Sequence, residues 1–398
     1  MNGSYVNDSS DSSYGSTGDS TGIAEAERHA TNLELFLDLV FVFAITQIAS
    51  LISHHPGPSG TAQGLLIAAL VWWQWSQFTW AGSAIDLQRV TRTRVLVLCL
   101  IPVTLVMTIS IPDAFHETGV WFGVAYFGVQ VLVLAMQGMV ALANPVTRPA
   151  FIRYGSFATA APALVLAGAF VHGDVRSGLW VAAATLNVVG AIRGAGGEWV
   201  INPVHFAERH ALFVIISLGE VLVAAGASAS EIGLDARTAL AIVVSVAVAC
   251  TLWWTYFAFI PEVTERLLRG TVGPQRGRLA RDVFTLGHFP IVFGLVLYAV
   301  VVKHLVPHPD GRLTVDDRWL LAISVALFLL GLLAIQYRAV RKVATERLVV
   351  VGAAAGLCAL GGVLPGLVVV GAVAVLYGIM QAITWRRFTG GRPAAPTP

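Results

Sequence analysis

The sequence predicts an all-α polytopic membrane protein of about twelve transmembrane helices, arranged as two parallel six-helix repeats. Three observations predict it. Hydrophobic residues make up 56% of the 398 and charged residues only 12%, about half the charged share of a globular chain, and mean hydropathy is +0.74. Between polar ends run twelve apolar stretches of roughly 17 to 25 residues, the length that crosses a bilayer. The basic residues, finally, crowd into every second connection.

Taken in chain order, the first 30 residues are rich in Ser, Gly, Asp and Thr, and the first 24 hold no Lys or Arg. They lack the basic start and apolar run of a secretory signal and read as a disordered cytoplasmic tail. The apolar runs then centre near Phe43, Val71, Val103, Val131, Leu164, Thr185, Ser217, Ala247, Phe293, Leu327, Gly356 and Val375. Ala and Gly dilute the fifth and sixth. Only Leu364-Pro365-Gly366 joins the last two, which predicts a tight helical hairpin or a re-entrant element. Residues 389–398, Pro/Gly-rich and without a lipidation signal, are expected to be a disordered tail. Residues 31–388 hold no polar stretch long enough for a soluble domain and are expected to form one transmembrane domain.

With the N-terminus inside, twenty of the 25 Lys and Arg fall on the cytoplasmic side; Arg176, Arg237, Lys303, Arg312 and Arg318 fall outside. The positive-inside rule thus supports the helix count and places both termini in the cytoplasm. The chain also resembles itself. ELFLDLVFVFAIT at 34–46 lies over ALFVIISLGEVLV at 211–223, VWWQW at 71–75 matches TLWWTY at 251–256, and Ile101-Pro102 and Phe289-Pro290 fall in the third helix of each half. Halves of 31–193 and 205–388 would share one orientation, related by an axis along the membrane normal.

Polar residues inside the runs are the candidates for function, because a carboxylate in a lipid-facing helix costs about 2.5 to 3.5 kcal/mol and is retained only against helices, water or a cation. Glu34 and Asp38 are four residues apart on one face of the first helix, where two carboxylates attract a cation or share a proton. Glu220 lies about 15 Å along the seventh helix from His210, near mid-membrane. Glu34, Asp38, Glu220 and His288 are therefore the expected polar pathway or ion site. His205, Glu208, Arg209 and His210, at the start of the seventh helix, are the expected gating or ion-pair cluster; alternatively they cap that helix.

The remaining polar and aromatic residues have structural expectations. Trp72, Trp73, Trp75, Trp80, Trp253 and Trp254 are packing and interface anchors. Gln74, Gln77, Gln130, Gln137 and Asn187 are interhelical hydrogen-bond partners, and Gly352 and Gly356 form a small-residue step for close helix packing. His54, His55, His304 and His308 are solvated at the external helix ends. Cys99, Cys250 and Cys358 sit inside apolar runs as small hydrophobes. There is no nucleophile elbow, P-loop, dinucleotide fingerprint, kinase motif set or metal-ligand spacing, so no enzymatic activity, cofactor or metal is expected. A net charge of +2 without a dense basic run gives no case for nucleic acid.

ELFLDLVFVFAITQIAS at 34–50 and HFAERHALFVIISLGEVLVAAGAS at 205–228 resemble the bacterial low temperature requirement A (LtrA) proteins, whose first helix begins E-L-F-F-D-L-V-F-V-F-A; Leu37 replaces the second Phe. The resemblance runs over nearly all the chain between the tails. It implies a multi-pass protein of the bacterial plasma membrane and supplies no reaction. FLDLVFVFAIT is also similar, more faintly, to the first helix of the endolysosomal-type potassium channels, with Leu37 in place of a Ser.

The functional expectation is a secondary transporter of a small solute or ion, embedded in the lipid bilayer, with its site around Glu220 approached from the cytoplasm past Asp38 and His288. The alternatives are a non-transporting membrane protein for cold adaptation or lipid interaction, whose carboxylates pair with basic residues to hold helices together, and a cation channel.

Overall fold

Each of the twelve apolar centres falls inside a helix. In the computed structural model the described residues are 28–85, 87, 90–194 and 197–389, the last three by backbone alone. They form fourteen α-helices: α1 (Asn32–His54), α2 (Pro58–Ala84), α3 (Thr91–Ile109), α4 (Gly119–Ala141), α5 (Arg148–Ala169), α6 (Gly173–Gly194), α7 (Pro203–Ile232), α8 (Ala236–Phe257), α9 (Ile260–Arg269), α10 (Gly273–Leu279), α11 (His288–Leu305), α12 (Val315–Val340), α13 (Thr345–Leu360) and α14 (Gly366–Thr389). A π-helical segment, Ala280–Leu286, joins α10 to α11. The two tails expected at the ends lie almost wholly outside the described residues.

Among the described residues ten helices, not twelve, are long and apolar enough to cross a membrane. The two exceptions differ in cause. Helix α13 has 16 residues, about 24 Å at 1.5 Å per residue, short of a hydrocarbon core of about 30 Å. Helix α2 is long, but Gln74, Ser76, Gln77 and Thr79 lower its hydropathy, and all four are buried. A helix enclosed by other helices needs no lipid-soluble surface, so its composition carries little of the spanning signal. Helices α13 and α14 meet at a turn tied to the α11–α12 connection, where the Gly366 amide donates to the Gly311 carbonyl at 2.8 Å.

One hydrophobic core runs through the bundle, from Leu37 on α1 to Met380 on α14. Its centre is α11, whose side chains from Ile291 to Val302 are all buried and which packs on α1, α2, α7 and α12. Neighbouring helices alternate in direction, which creates two ends. The terminal end carries the start of α1, the α6–α7 connection and the end of α14. The distal end carries His54, the α3–α4 and α11–α12 connections and the α13–α14 turn. Arg176, Arg237, Lys303, Arg312 and Arg318 are all distal, where Arg176 donates to the carbonyls of Ala114 and His116 at 2.9 Å each and Arg318 to that of Ala359 at 3.2 Å.

Pro102 sits inside α3, whereas Pro290 is the third residue of α11, directly after the π-helical segment. The two prolines therefore do not break their helices alike. The π-helical segment ends two residues before His288, and such segments often mark functional positions. The expected packing role of Gly352 and Gly356 fails, because a Cβ added at either meets no atom within 4 Å.

Candidate functional site

Helix α1 carries a polar stripe over almost its whole length. Glu34, Asp38, Thr46 and Ser53 fall within about a third of the helix circumference at 100° per residue and span about 28 Å of rise. Each meets a partner on another helix, in a series of separate levels.

At the terminal end, Thr31 and Glu34 form a capping box: the Thr31 amide and hydroxyl each donate to Glu34 Oε2 at 2.9 Å, and the Glu34 amide donates to Thr31 Oγ1 at 3.3 Å. Such a box satisfies donors that a helix start leaves open. The other oxygen, Oε1, lies 2.8 Å from His205 Nε2, and both side chains are buried. Gly82 permits this, since a Cβ there would lie 2.6 Å from Glu34 Oε1. A cleft of about 280 Å³, lined in part by Arg28, Thr31 and His205, reaches the pair. Glu208 stands outside it, accepting from the Ala30 amide at 2.8 Å and contacting His29 at 3.2 Å.

One turn deeper, Asp38 and Arg209 make a two-pronged ion pair, with Nη1–Oδ2 at 2.5 Å and Nη2–Oδ1 at 2.8 Å. Trp75 Nε1–H donates to Oδ1 at 3.0 Å. The guanidinium carbon lies 5.6 Å from the rings of both Trp75 and Phe78, so the cation is enclosed by a carboxylate and two aromatic faces.

His210 and His288 lie beside this pair, their rings 5.2 Å apart. His288 Nδ1 meets the Val283 carbonyl at 2.9 Å across the π-helical segment, which places the proton on Nδ1. Nε2 then accepts from the Tyr256 hydroxyl at 2.8 Å. His210 Nδ1 donates to the Phe206 carbonyl at 2.8 Å, while its Nε2 is buried without a hydrogen-bond partner. Trp72, Trp75, Phe206 and Phe284 surround the His210 ring.

Glu220 occupies a different level, nearer the distal end. Oε2 accepts a hydrogen bond from Thr46 of α1. Oε1 is buried without a hydrogen-bond partner and faces Lys303 Nζ of α11 at 3.6 Å. Glu220 is 1% exposed, but the Lys303 side chain is 20% exposed, because it lines a distal cleft of about 620 Å³. On the cleft's other wall Ser53 meets His304 Nε2 at 2.8 Å, and His304 Nδ1 meets Asp317 Oδ1 at 2.6 Å. Thr314 completes that level by donating to Asp317 Oδ2 at 2.7 Å.

The eight residues expected from the sequence are thus placed as follows. Glu34 joins His205, Asp38 joins Arg209, His210 joins His288, and Glu208 stays at the surface. Glu220 joins none of the other seven. Asp38 is paired with the Arg209 guanidinium, whereas Glu220 stands beside Lys303, a residue of the distal cleft. The reason is charge matching: a buried carboxylate four residues from another is most stable when each faces its own cation. Of the four distal histidines, His54, His55 and His308 are exposed as expected, whereas His304 is half-buried between Ser53 and Asp317.

Sequence reasoning passed over Lys303, Thr46 and the His304–Asp317 pair. For Lys303 a signal existed: IVFGLVLYAVVVKHL is apolar right up to the lysine, which stands on the side where basic residues are few. For Thr46, a hydroxyl within an apolar run, there was none. A further cavity of about 30 Å³ among Trp73, Trp80, Tyr154 and Trp199 has room for little more than a water or two. No group of three His, Cys, Asp or Glu able to hold a metal occurs among the described residues.

The family model described as "Bacterial low temperature requirement A protein (LtrA)" matches residues 29–382. The chain is also 30% identical over 290 residues to RA0937, an uncharacterized protein of Rhizobium meliloti (strain 1021), covering 69% of each. No solved structure matches it.

Proposed function

This chain belongs to the bacterial low temperature requirement A family, and from that premise we propose that it is a secondary transporter of a small solute, with Glu220 and Lys303 at the centre of its site. The observation that carries the reading is the place of Glu220. It is a buried carboxylate in the interior of a membrane bundle, with one oxygen unsatisfied, under a cleft whose wall supplies its counter-ion. A buried acid kept in this way inside a membrane protein marks a transport or relay site by default.

The packing supports two six-helix repeats with the site between them. Six neighbour relations of the first half recur in the second: α1 with α2 as α7 with α8, α1 with α3 as α7 with α11, α3 with α4 as α11 with α12, α4 with α5 as α12 with α13, α5 with α6 as α13 with α14, and α2 with α6 as α8 with α14. Thr46 comes from one half, Glu220 and Lys303 from the other. This count includes α2 and α13 among twelve spans. Basic residues gathered at the terminal end support a plasma-membrane orientation with both termini cytoplasmic. The distal cleft then opens outward, and the Asp38–Arg209–Trp75 level closes the cytoplasmic side, as one gate of an alternating-access carrier.

The test is flux into proteoliposomes over a broad panel of anions, cations and neutral solutes, with Glu220→Gln as the comparison. A solute whose uptake is lost in the variant, while the protein keeps its unfolding temperature within a few degrees, supports the transporter. Absence of any Glu220-dependent flux sinks it. The closed Asp38–Arg209 pair favours a second reading, a non-transporting protein whose ion pairs only hold helices together. On that reading Glu220→Gln lowers stability and leaves no solute-specific effect.

A further inference from the structure

The order of charges along the distal cleft carries information about what enters it. Lys303 Nζ lines the cleft and faces Glu220, so the charge that stands next to Glu220 on the cleft side is a cation, the counter-charge of an anion. The Lys303–Glu220 contact is also loose. At 3.6 Å it exceeds a charge-assisted hydrogen bond of about 2.7 to 2.9 Å, and Glu220 Oε1 has no other partner. An anion in the cleft therefore competes with Glu220 for one ammonium group.

We propose that the distal cleft binds a small monovalent anion on Lys303 Nζ, and that Glu220 takes up one proton each time the anion takes Lys303 from it. This deepens the transport reading and rests on it for its physiological meaning. Losing Lys303 leaves Glu220 as a buried charge without a counter-ion, a strongly unfavourable state. Protonation on Oε1 removes that charge, and Oε2 keeps the Thr46 hydrogen bond. The balance is simple: anion and proton enter the cleft together, Glu220 carboxylate becomes carboxylic acid, the Lys303 charge passes from one partner to the other, and net charge is unchanged. The structure sets two groups against the Glu220 carboxylate, the uncharged Thr46 of α1 and Lys303 of α11. The remaining ionisable cleft residues are His304 and Asp317, already bonded to each other, and His308, Arg312 and Asp316.

The experiment is binding of nitrate and of acetate to the purified full-length protein in nanodiscs, with proton uptake read by a pH dye in weakly buffered solution. The expected result is one proton taken up per anion bound, with affinity falling about tenfold per pH unit in the range where Glu220 is ionised in the unbound protein. Glu220→Gln, which is neutral from the start, is expected to bind both anions with no proton uptake and no pH slope. Lys303→Met is expected to lose binding at least tenfold. Because that variant leaves Glu220 unpaired and risks misfolding, Glu220→Gln/Lys303→Met supplies a neutral, similarly sized pair that is also expected not to bind. Nitrate binding without acetate binding would narrow the class to inorganic anions, and the reverse to carboxylates; both retain the proposal. Proton-free binding by the wild type, a pH slope that persists in Glu220→Gln, undiminished binding in the double variant, or no binding of either anion would each overturn it. The two readings fail separately. Proton-coupled anion binding without any flux keeps this inference and removes the transporter, whereas Glu220-dependent flux of a cation or neutral solute with no anion binding does the opposite.

Discussion

Asp38 and Arg209 are both buried, and each satisfies the other through two hydrogen bonds. Removing one partner of such a pair costs more than the pair contributes, because the remaining charge stays in a low-dielectric site. Asp38→Asn is therefore expected to destabilise the protein by about 3 kcal/mol, read as a fall in thermal unfolding temperature in detergent. Asp38→Asn/Arg209→Met is expected to recover part of that loss, and equal or larger damage in the double variant would show that Arg209 is held by its aromatic neighbours rather than by Asp38. Glu220 makes the opposite case. Its cation stands 3.6 Å away and is partly solvated, so Glu220→Gln should cost less stability than Asp38→Asn while removing flux. Both carboxylates were visible in the sequence as acids in apolar helices. Their difference was not, because the cation of each lies 171 or 83 positions away in the chain.

Helix ends show how local chemistry sets where the chain turns. Thr31 caps α1, Asn202 α7, Asp235 α8 and Thr314 α12, each accepting a backbone N–H from the first turn. Thr31→Ala is expected to cost about 1 kcal/mol and to leave Glu34 Oε2 with the residue-31 backbone amide alone, and a measured loss near zero would mean that this amide and the His205 contact suffice to hold Glu34. Asp235 gives a pH prediction outside the membrane-spanning helices. The Thr238 amide donates to its carboxylate at 2.7 Å, and with the Thr238 hydroxyl this holds the Asp235 carboxyl below its ordinary range. A carboxyl lowered by folding stabilises the protein above its unfolded pKa of about 4, and that contribution is lost as pH falls through the lower folded value. The stability difference between wild type and Asp235→Ala should accordingly shrink as pH is lowered below about 4; a difference that is constant with pH would assign the effect to helix propensity instead. The π-helical segment before His288 was not legible in the sequence. Its extra turn width is fixed by packing of Phe284 and His288 against α7 and α8, not by a local motif.

For the bundle as a whole, the distribution of basic residues makes the sidedness testable. In spheroplasts, with Cys99, Cys250 and Cys358 replaced, His308→Cys at the distal cleft is expected to react with a membrane-impermeant maleimide added from outside. Arg266→Cys on the exposed surface of α9 is expected to react only after permeabilisation. The reverse pattern would invert the bundle and place the Lys303 cleft in the cytoplasm, and the same anion would then be exported or sensed from within.

The amino-acid order alone was enough for the all-helical membrane class and the positions of the long helices, because both rest on apolar length, which lipid imposes on each segment separately, and for the family, which rests on the residue motifs at 34–50 and 205–228. It also named Glu34, Asp38, Glu220 and His288 as the polar residues that need explaining. Which of them are tightly paired and which one has a loose counter-ion at the wall of a cleft came from the packing of α1, α7 and α11. Helices side by side bring residues of distant sequence within hydrogen-bond reach, and the energy of a buried charge depends on that neighbour rather than on the segment that carries it. Helix α2 makes the same point in reverse: buried over most of its second half, it carries too little hydropathy to announce itself as a span, yet its Trp75 closes the ion pair of α1 and α7.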